Sequence, residues 1–144
     1  MEIVSDSLTK TQELVGDIAK KLKAGAVLAL YGNLGSGKTT FVNFLVAALK
    51  INSRVQSPTF VILRKYTGAG VGDIKTVNHF DLYRLTTESE VLDLGLPEHF
   101  AEKNAISLIE WPELAEKYLP ADTIKIHFDY VDETTRKVNV QNLH

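Results

Sequence analysis

The sequence predicts an α/β protein with three layers, in which a parallel central sheet is extended by antiparallel strands and hairpins. Three observations support this prediction. Residues 26–49 contain an apolar strand pattern, a glycine-rich turn and a helix pattern in direct succession. Residues 105–109 form a second buried-strand pattern. Alternating segments at 59–81 and 123–140 are typical of antiparallel hairpins added to such a core.

Length and composition indicate one ordinary globular unit. The 144 residues are 44% hydrophobic and 24% charged, so we expect a single domain over 1–144. The net charge of -2 gives no general attraction to nucleic acid or membranes. The absence of cysteine excludes disulfides and thiolate metal sites. With no signal-peptide pattern and no run of about 18 apolar residues, we expect a cytoplasmic protein with no membrane association.

The first predicted element is a helix. Ser7 or Asp6 can cap its start, and Gly25 is predicted as its C-cap. Its apolar positions recur at helical spacing and comprise Leu14, Val15, Ile18, Ala19 and Leu22. Three lysines near its end suit the helix dipole, so we interpret them as a solvated helix end and not as a binding patch.

Residues Gly32–Thr39 fit the phosphate-binding loop pattern Gly-x-x-x-x-Gly-Lys-[Ser/Thr]. A strand pattern at 26–31 precedes the motif and a helix pattern at 39–49 follows it, which is the context of a true P-loop. The glycines let backbone N–H groups turn toward phosphate oxygens, and the helix N-terminus adds partial positive charge. Lys38 would reach the β- and γ-phosphates, and the Thr39 hydroxyl would hold Mg²⁺. The predicted nucleotide-binding residues are Asn33, Leu34, Gly35, Ser36, Gly37, Lys38, Thr39 and Thr40.

The remaining elements follow in order. A hairpin over 59–81 has a predicted flexible tip at Gly68–Ile74, because Gly68, Gly70 and Gly72 precede no helix and make no nucleotide fingerprint. Short helical turns broken by Gly95 and Pro97 are predicted over 87–103. The strand at 105–109 leads through Glu110 and Trp111 to a helix over 112–118 that begins with proline. A hairpin of 123–130 and 136–140 ends the chain.

Two carboxylates stand where a P-loop enzyme needs them. Glu110 ends an apolar strand, which is the position of a metal-binding Walker B acid, although it could instead cap the helix that follows. Asp81 lies in the stretch 79–84, HFDLYR. If Phe80 and Leu82 face the core, His79, Asp81 and Tyr83 share the opposite face, and the alternative is a polar face on an edge strand.

Two further residues are open to two interpretations. Thr59 in the segment Ser57-Pro58-Thr59 precedes a strand, where a threonine in P-loop switch proteins senses the γ-phosphate and Mg²⁺; the alternative is a proline turn. Trp111 follows the candidate metal acid, and its alternative is a core anchor. Missing features also guide the interpretation. The chain has no Asn-Lys-x-Asp guanine motif and no long arginine-rich lid, which argues against a GTPase and a small-molecule kinase.

Together these motifs resemble the TsaE (YjeE) family of small bacterial ATPases, over roughly residues 7–120. The P-loop alone is unspecific, whereas the whole set around it is highly specific. The matching segments are GNLGSGKTTF at 32–41, SPTF at 57–60, HFDLYRL at 79–85, DLG at 93–95 and IEWPE at 109–113.

The resemblance implies an accessory ATPase of tRNA threonylcarbamoyladenosine synthesis. It would bind ATP or ADP with Mg²⁺ and act on a TsaB–TsaD heterodimer, meeting tRNA only through that complex. By the resemblance, Lys38, Asp81 and Glu110 are catalytic, and Thr39 and Glu110 form the metal site. The other motif positions that the resemblance marks are Thr59, Tyr83, Arg84 and Trp111. We expect weak hydrolysis by the lone chain, since the sequence offers no evident arginine finger beyond Arg84.

The chain departs from the family pattern at Asn43-Phe44, where the family often has Arg-Gly; the departure does not touch phosphate binding. The C-terminal hairpin carries no transferable motif. Two alternatives to the accessory ATPase remain, a small-molecule kinase and a nucleotide-gated adaptor that does not hydrolyse ATP.

Overall fold

The computed structural model of the chain describes residues 1–33, 35–51, 53–55 and 62–144. Its elements follow the predicted alternation of strands and helices. In chain order they are β1 (Glu2–Ser5), α1 (Leu8–Lys21), β2 (Val27–Tyr31), α2 (Lys38–Ala48), β3 (Ser53–Val55), β4 (Leu63–Val71), β5 (Ile74–Asp81), α3 (Glu88–Leu92), α4 (Leu96–Phe100), β6 (Ala105–Glu110), a 3₁₀ helix (Pro112–Tyr118), β7 (Ile124–Tyr130) and β8 (Arg136–Gln141).

The strands form one eight-stranded sheet in the order β1-β8-β7-β2-β6-β5-β4-β3. The central strands β7, β2, β6 and β5 pair in parallel. On one side β8 and β1 continue the sheet in antiparallel pairing, and on the other side β4 and β3 do the same. The predicted parallel centre with antiparallel extensions is therefore confirmed.

Helical layers cover both faces of this sheet. One apolar cluster joins α1 and α2 to the sheet through side chains such as Ile18, Phe41, Leu45, Leu108 and Ile126. A second cluster on the opposite face joins the sheet to α3, α4 and the 3₁₀ helix through Phe80, Val91, Leu96, Ile109 and Ala115. These two clusters account for the predicted three layers. No helix within the described ranges is long and apolar enough to span a membrane.

Helix α1 begins as predicted and ends earlier than predicted. The Ser7 hydroxyl accepts a hydrogen bond from the Lys10 N–H at 3.1 Å, which confirms Ser7 as its N-cap. The prediction of Gly25 as C-cap is wrong, because the helix ends at Lys21 and Leu22 caps it. Gly25 instead lies in the turn before β2, where its N–H donates to the Ala105 carbonyl at 2.7 Å. A contact distant in the sequence thus decides the role of this glycine.

The predicted loop at Gly68–Ile74 is also wrong. Strand β4 continues to Val71, and only Gly72 and Asp73 form the turn to β5. The pairing shifts register between Thr67 and Val71, which makes an irregularity in the ladder. Gly70 has a φ of 76° there, and a Cβ would lie 1.8 Å from the Ile74 carbonyl oxygen. The glycine thus permits close pairing of the strands at this point.

Two short edge strands were not predicted. β1 pairs with β8, and β3 pairs with β4. Both are too short for an alternating pattern to stand out, since they comprise 4 and 3 residues. The helical turns over 87–103 are confirmed as α3 and α4, with Gly95 in the left-handed region as the N-cap of α4.

Candidate active site

The P-loop follows β2 directly and leads into α2. Gly32, Gly35 and Gly37 all have positive φ values, of 149°, 79° and 104°. At Gly32 the need for glycine is also steric, because a Cβ would lie 2.7 Å from Ser36 Oγ and 2.8 Å from the Phe128 carbonyl oxygen. Leu34 lies outside the described residues. The described part of the loop therefore has the sharp turns that the motif predicts.

Lys38 is buried at the first position of α2, with only 5% of its surface exposed. Its Nζ donates to the Gly32 carbonyl at 2.5 Å and lies 3.7 Å from the centre of the Trp111 ring. Burial lowers the pKa of the Lys38 ammonium, and the carboxylates of Glu110 and Asp81 oppose that shift. The ammonium is thus held by a carbonyl and a ring, in the field of two acids.

A cavity of about 520 Å³, here called the polar cavity, opens beside α2 and the carboxyl ends of β5 and β6. It brings together most of the residues that the sequence singled out. These are Gly35, Gly37, Lys38, Thr39, Thr40, Asp81, Tyr83, Glu110 and Trp111. Asn33 and Arg84 are exposed and are not among the described residues of its wall, and Thr59 lies outside the described residues.

The sheet register places the two predicted acids side by side. Asp81 and Glu110 are Cα partners in the parallel β5–β6 pair. Phe80 and Leu82 are buried in the apolar cluster on the other face, as predicted. β5 lies between β4 and β6, so the alternative of an edge strand for Asp81 is wrong. Because the carboxyl ends of parallel strands meet at one edge of a sheet, both acids lie near the P-loop.

The surroundings of the two acids differ. Asp81 is partly exposed, and its Oδ1 accepts a hydrogen bond from the Tyr83 N–H at 3.1 Å. Glu110 is only 6% exposed, and its Oε2 lies 2.6 Å from His79 Nε2. Asp81 is therefore open to solvent molecules in the cavity, whereas Glu110 is fixed inside the protein.

The residues present fit Mg²⁺ bound together with phosphate. No group of three or more His, Asp or Glu side chains that could hold a metal by themselves occurs within the described ranges. Thr39 and Glu110 line the same cavity. Mg²⁺ is commonly held by one or two protein oxygens together with substrate phosphates and water, and this pair of oxygen donors suits that mode. Ser36 Oγ is buried in the P-loop without a hydrogen-bond partner, which suits a ligand oxygen at the loop.

Trp111 lines the polar cavity and also packs against the apolar cluster below it. Its ring centre lies 5.0 Å from that of Tyr83. Its backbone has a φ of 55° and a ψ of 57°, a left-handed conformation that a bulky residue rarely adopts. The 3₁₀ helix begins at the next residue, Pro112, so the turn at Trp111 redirects the chain out of β6.

Sequence reasoning missed six described residues of this cavity as site residues: Val42, Asn43, Arg64, Tyr66, His79 and Arg136. Arg64 and Arg136 line the cavity, and the expectation that the lone chain has no evident arginine finger beyond Arg84 stays a prediction. Arg136 begins β8, and its Nη2 donates to the Gly35 carbonyl at 3.1 Å. Only the placement of β8 beside β7, which in turn pairs with β2, brings it there, so no local signal could have found it. His79 was part of a quoted motif.

A second cavity of about 490 Å³, here called the apolar cavity, lies on the other side of the P-loop. Its apolar walls come from Leu14, Phe41, Phe128 and Val138, and Phe41 and Phe128 meet edge to face with ring centres 5.3 Å apart. Gly37, Thr40 and Arg136 line both cavities. The P-loop therefore lies between a mostly apolar space and a mostly polar one.

Comparison with known proteins gives one consistent family. A family model described as "Threonylcarbamoyl adenosine biosynthesis protein TsaE" matches residues 5–138. The tRNA threonylcarbamoyladenosine biosynthesis protein TsaE of Bacillus subtilis is 38% identical over 116 residues, which cover 81% of this chain and 69% of the relative. The protein of that name from Aquifex aeolicus is 37% identical over 141 residues, covering 96% and 94%.

The fold has a solved counterpart. The crystal structure of Bacillus subtilis YdiB superimposes with a TM-score of 0.76 at 26% identity, and the match covers 100% of this chain and 86% of that one. This likeness agrees with the predicted fold class.

Proposed function

The chain belongs to the TsaE family, and from this premise we propose that it binds ATP with Mg²⁺ and hydrolyses the ATP. Its role lies in tRNA threonylcarbamoyladenosine biosynthesis. In the proposed function, hydrolysis takes place on a TsaB–TsaD heterodimer and supports repeated turnover of the transferase. The chain meets tRNA only through that complex.

One observation carries the proposal. A buried P-loop lysine and two carboxylates on neighbouring strands line one cavity at the start of α2. Phosphoryl transfer needs a phosphate cradle, a metal-binding acid and a group that orients the attacking oxygen. Lys38, Glu110 and Asp81 have the chemistry and the placement for these three tasks.

The residues then divide the work as follows. Lys38 leaves the Gly32 carbonyl to contact the β- and γ-phosphates, and backbone N–H groups of residues 35–39 bind the phosphate oxygens. Thr39 and Glu110 hold Mg²⁺, which when bound neutralises phosphate charge. Asp81, which is partly exposed, accepts a hydrogen bond from the attacking water and orients it.

The apolar cavity suits the nucleoside. It adjoins the P-loop through Gly37 and Thr40, so a nucleotide with phosphates on the loop can extend into it. Apolar side chains, Phe41 and Phe128 among them, form much of its wall, and the exposed residues Glu133 and Thr134 also line it. Because a base needs a mostly apolar space, this cavity is a better place for it than the charged one.

The contacts of two cations at the site, Lys38 and Arg136, support partner dependence. Lys38 is bound to Gly32 and Trp111, and Arg136 Nη1 donates to the carbonyls of Asp132 and Thr135 while its Nη2 donates to that of Gly35. A partner that reorganises these contacts would complete the site. Completion of a P-loop site by a partner is worth about 10³–10⁵ in rate.

Steady-state phosphate release with and without the TsaB–TsaD pair tests the proposal. We expect slow release by the lone chain, strong stimulation by the pair, and weaker stimulation of the Thr59→Ala variant. Full-rate release that the pair does not change would contradict partner dependence. Product analysis separates the alternatives, because a kinase places the phosphate on an acceptor and a non-hydrolysing adaptor releases none.

A further inference from the structure

His79 and Glu110 form a buried contact inside the candidate active site. His79 Nε2 and Glu110 Oε2 lie 2.6 Å apart, and the two residues are 5% and 6% exposed. His79 lies two residues before Asp81, the register partner of Glu110, so the imidazole and the carboxylate are on the same face of neighbouring strands. Within the described residues, this is the one side-chain hydrogen bond that Glu110 makes.

The direction of this hydrogen bond follows from the groups involved. A carboxylate that holds a cation is ionised and can only accept, so in that state Nε2 carries the proton and donates to Glu110. The other ring nitrogen, Nδ1, is buried with no hydrogen-bond partner. The Tyr66 ring is stacked on the imidazole with a centre-to-centre distance of 6.4 Å and an interplanar angle of 28°, which restricts rotation of the imidazole. His79 is therefore a fixed donor aimed at one carboxylate oxygen.

We propose that His79 is a positioning residue for the metal site, which fixes the Glu110 carboxylate so that its second oxygen is presented to a divalent cation bound with nucleotide. This inference rests on the proposed function, since it assigns Glu110 to Mg²⁺. Substitution of a residue that orients a metal ligand through a hydrogen bond typically lowers metal affinity 10–100-fold. We expect a loss of roughly this size when His79 can no longer donate to Glu110.

A matched pair of variants isolates the hydrogen bond. In His79→Gln the side-chain amide reaches about as far as Nε2 and can still donate to Glu110. In His79→Asn the same amide is one methylene shorter and cannot reach it. His99→Phe is the control, because His99 makes an equally short contact of 2.6 Å with Glu102 but is not among the described residues that line either cavity.

The measurement is a calorimetric titration of MgCl₂ into each full-length variant saturated with a non-hydrolysable ATP analogue. We expect the Mg²⁺ dissociation constant to rise about 10–100-fold in His79→Asn and to stay near the wild-type value in His79→Gln and His99→Phe. Affinity for the analogue without Mg²⁺ should be unchanged in all variants. Thermal unfolding of each variant verifies that it is folded.

Equal Mg²⁺ affinity in the Asn and Gln variants would overturn the inference. Glu110→Gln separates this failure from a failure of the proposed function. If Glu110→Gln weakens Mg²⁺ binding while both His79 variants bind normally, the metal site stands and His79 has no positioning role. If the wild-type protein binds no nucleotide, or if Glu110→Gln leaves the Mg²⁺ dissociation constant unchanged, the proposed site itself is wrong.

Discussion

Two histidine–glutamate pairs among the described residues have the same contact distance and different surroundings. His79–Glu110 and His99–Glu102 both measure 2.6 Å. Glu102 also accepts hydrogen bonds from Lys65 Nζ at 2.8 and 3.0 Å and from Asn78 at 3.1 Å. Glu110 accepts from His79 alone among the described side chains and borders the polar cavity. One carboxylate is saturated by the protein, and the other keeps accepting capacity.

This difference distinguishes a structural acid from a candidate functional acid. A carboxylate that already has its hydrogen bonds gains little from a ligand, while a buried one with a single donor can bind a cation without losing protein contacts. The pKa of Glu102 reflects its environment: burial alone would raise it, but hydrogen bonds from Lys65, Asn78 and His99 prevail and lower it to about 2. Contact distance alone would not have separated the two pairs.

The residues of the polar cavity and those around Glu102 should differ most in their effect on the rate of ATP hydrolysis. Asp81→Asn keeps the shape of the side chain but removes the charge that orients the attacking water, so ATP hydrolysis in the presence of TsaB–TsaD should fall by about 10²–10⁴. ATP binding should largely survive. Phosphate release measures the first effect and calorimetry the second. Glu102→Gln is the control, because the protein already supplies the hydrogen bonds of Glu102. Normal hydrolysis by Asp81→Asn would mean that Asp81 has no part in the mechanism.

Lys38 in the polar cavity and Lys65 beside Glu102 allow a second comparison. Lys38→Ala removes a charged contact to phosphate worth about 1.5–3 kcal/mol, so the ATP dissociation constant should rise roughly 10–150-fold. Lys65→Ala removes the lysine bound to Glu102 and should leave ATP affinity unchanged. Calorimetric titration with ATP and Mg²⁺ measures both. An unchanged affinity in Lys38→Ala would contradict the assignment of the P-loop.

For the free energy of unfolding we expect the reverse: substitution of Glu102 should have the larger effect and substitution of Glu110 the smaller. Glu102→Gln turns an amide donor toward the Lys65 ammonium and should lower the free energy of unfolding by about 1–3 kcal/mol. Glu110→Gln should lower it less, because its amide oxygen can still accept from His79 and a buried charge is removed. Urea denaturation of both variants measures the difference. A larger loss in Glu110→Gln would mean that this pair is structural.

The smallest expected effect is the pH dependence of stability due to Glu102. Its pKa is lower in the folded protein than the ordinary value of 4.5, so the folded state favours the ionised form. The resulting stability is present above pH 4.5 and is lost as the pH falls toward 2, and screening by solvent keeps it small because 31% of the Glu102 side chain is exposed. Glu102→Gln should flatten this part of the curve. Identical acid curves for the two proteins would contradict the assignment.

Local patterns predicted much of the fold because they are set by neighbouring residues. The P-loop, the buried β6 strand ending in Glu110 and the proline start of the 3₁₀ helix all depend on a few adjacent positions. Local patterns also explain the error at the glycines of 68–72. Their local propensity for loops was outweighed by the pairing of β4 with β5, which a local pattern does not contain.

The rest of the site depends on contacts distant in the sequence. The pairing of Asp81 with Glu110 is a matter of sheet register, and Arg136 meets Gly35 across 101 residues. The apolar cavity combines the start of α1, the P-loop and the C-terminal hairpin. The sequence of any one of these segments does not predict that they meet at one cavity. The predicted role of Thr59 stays a prediction, because Thr59 lies outside the described residues.

The left-handed backbone at Trp111 sets a limit on how stable this protein can become. A bulky residue in that conformation costs of order 1–3 kcal/mol, which glycine or asparagine would largely avoid. Asn104 and Asn142, which also have positive φ values, show the usual solution elsewhere in the chain. At Trp111 that solution would remove the ring that contacts the Lys38 ammonium. Replacing Trp111 by asparagine would therefore relieve backbone strain and, by the same change, remove a contact of the P-loop lysine.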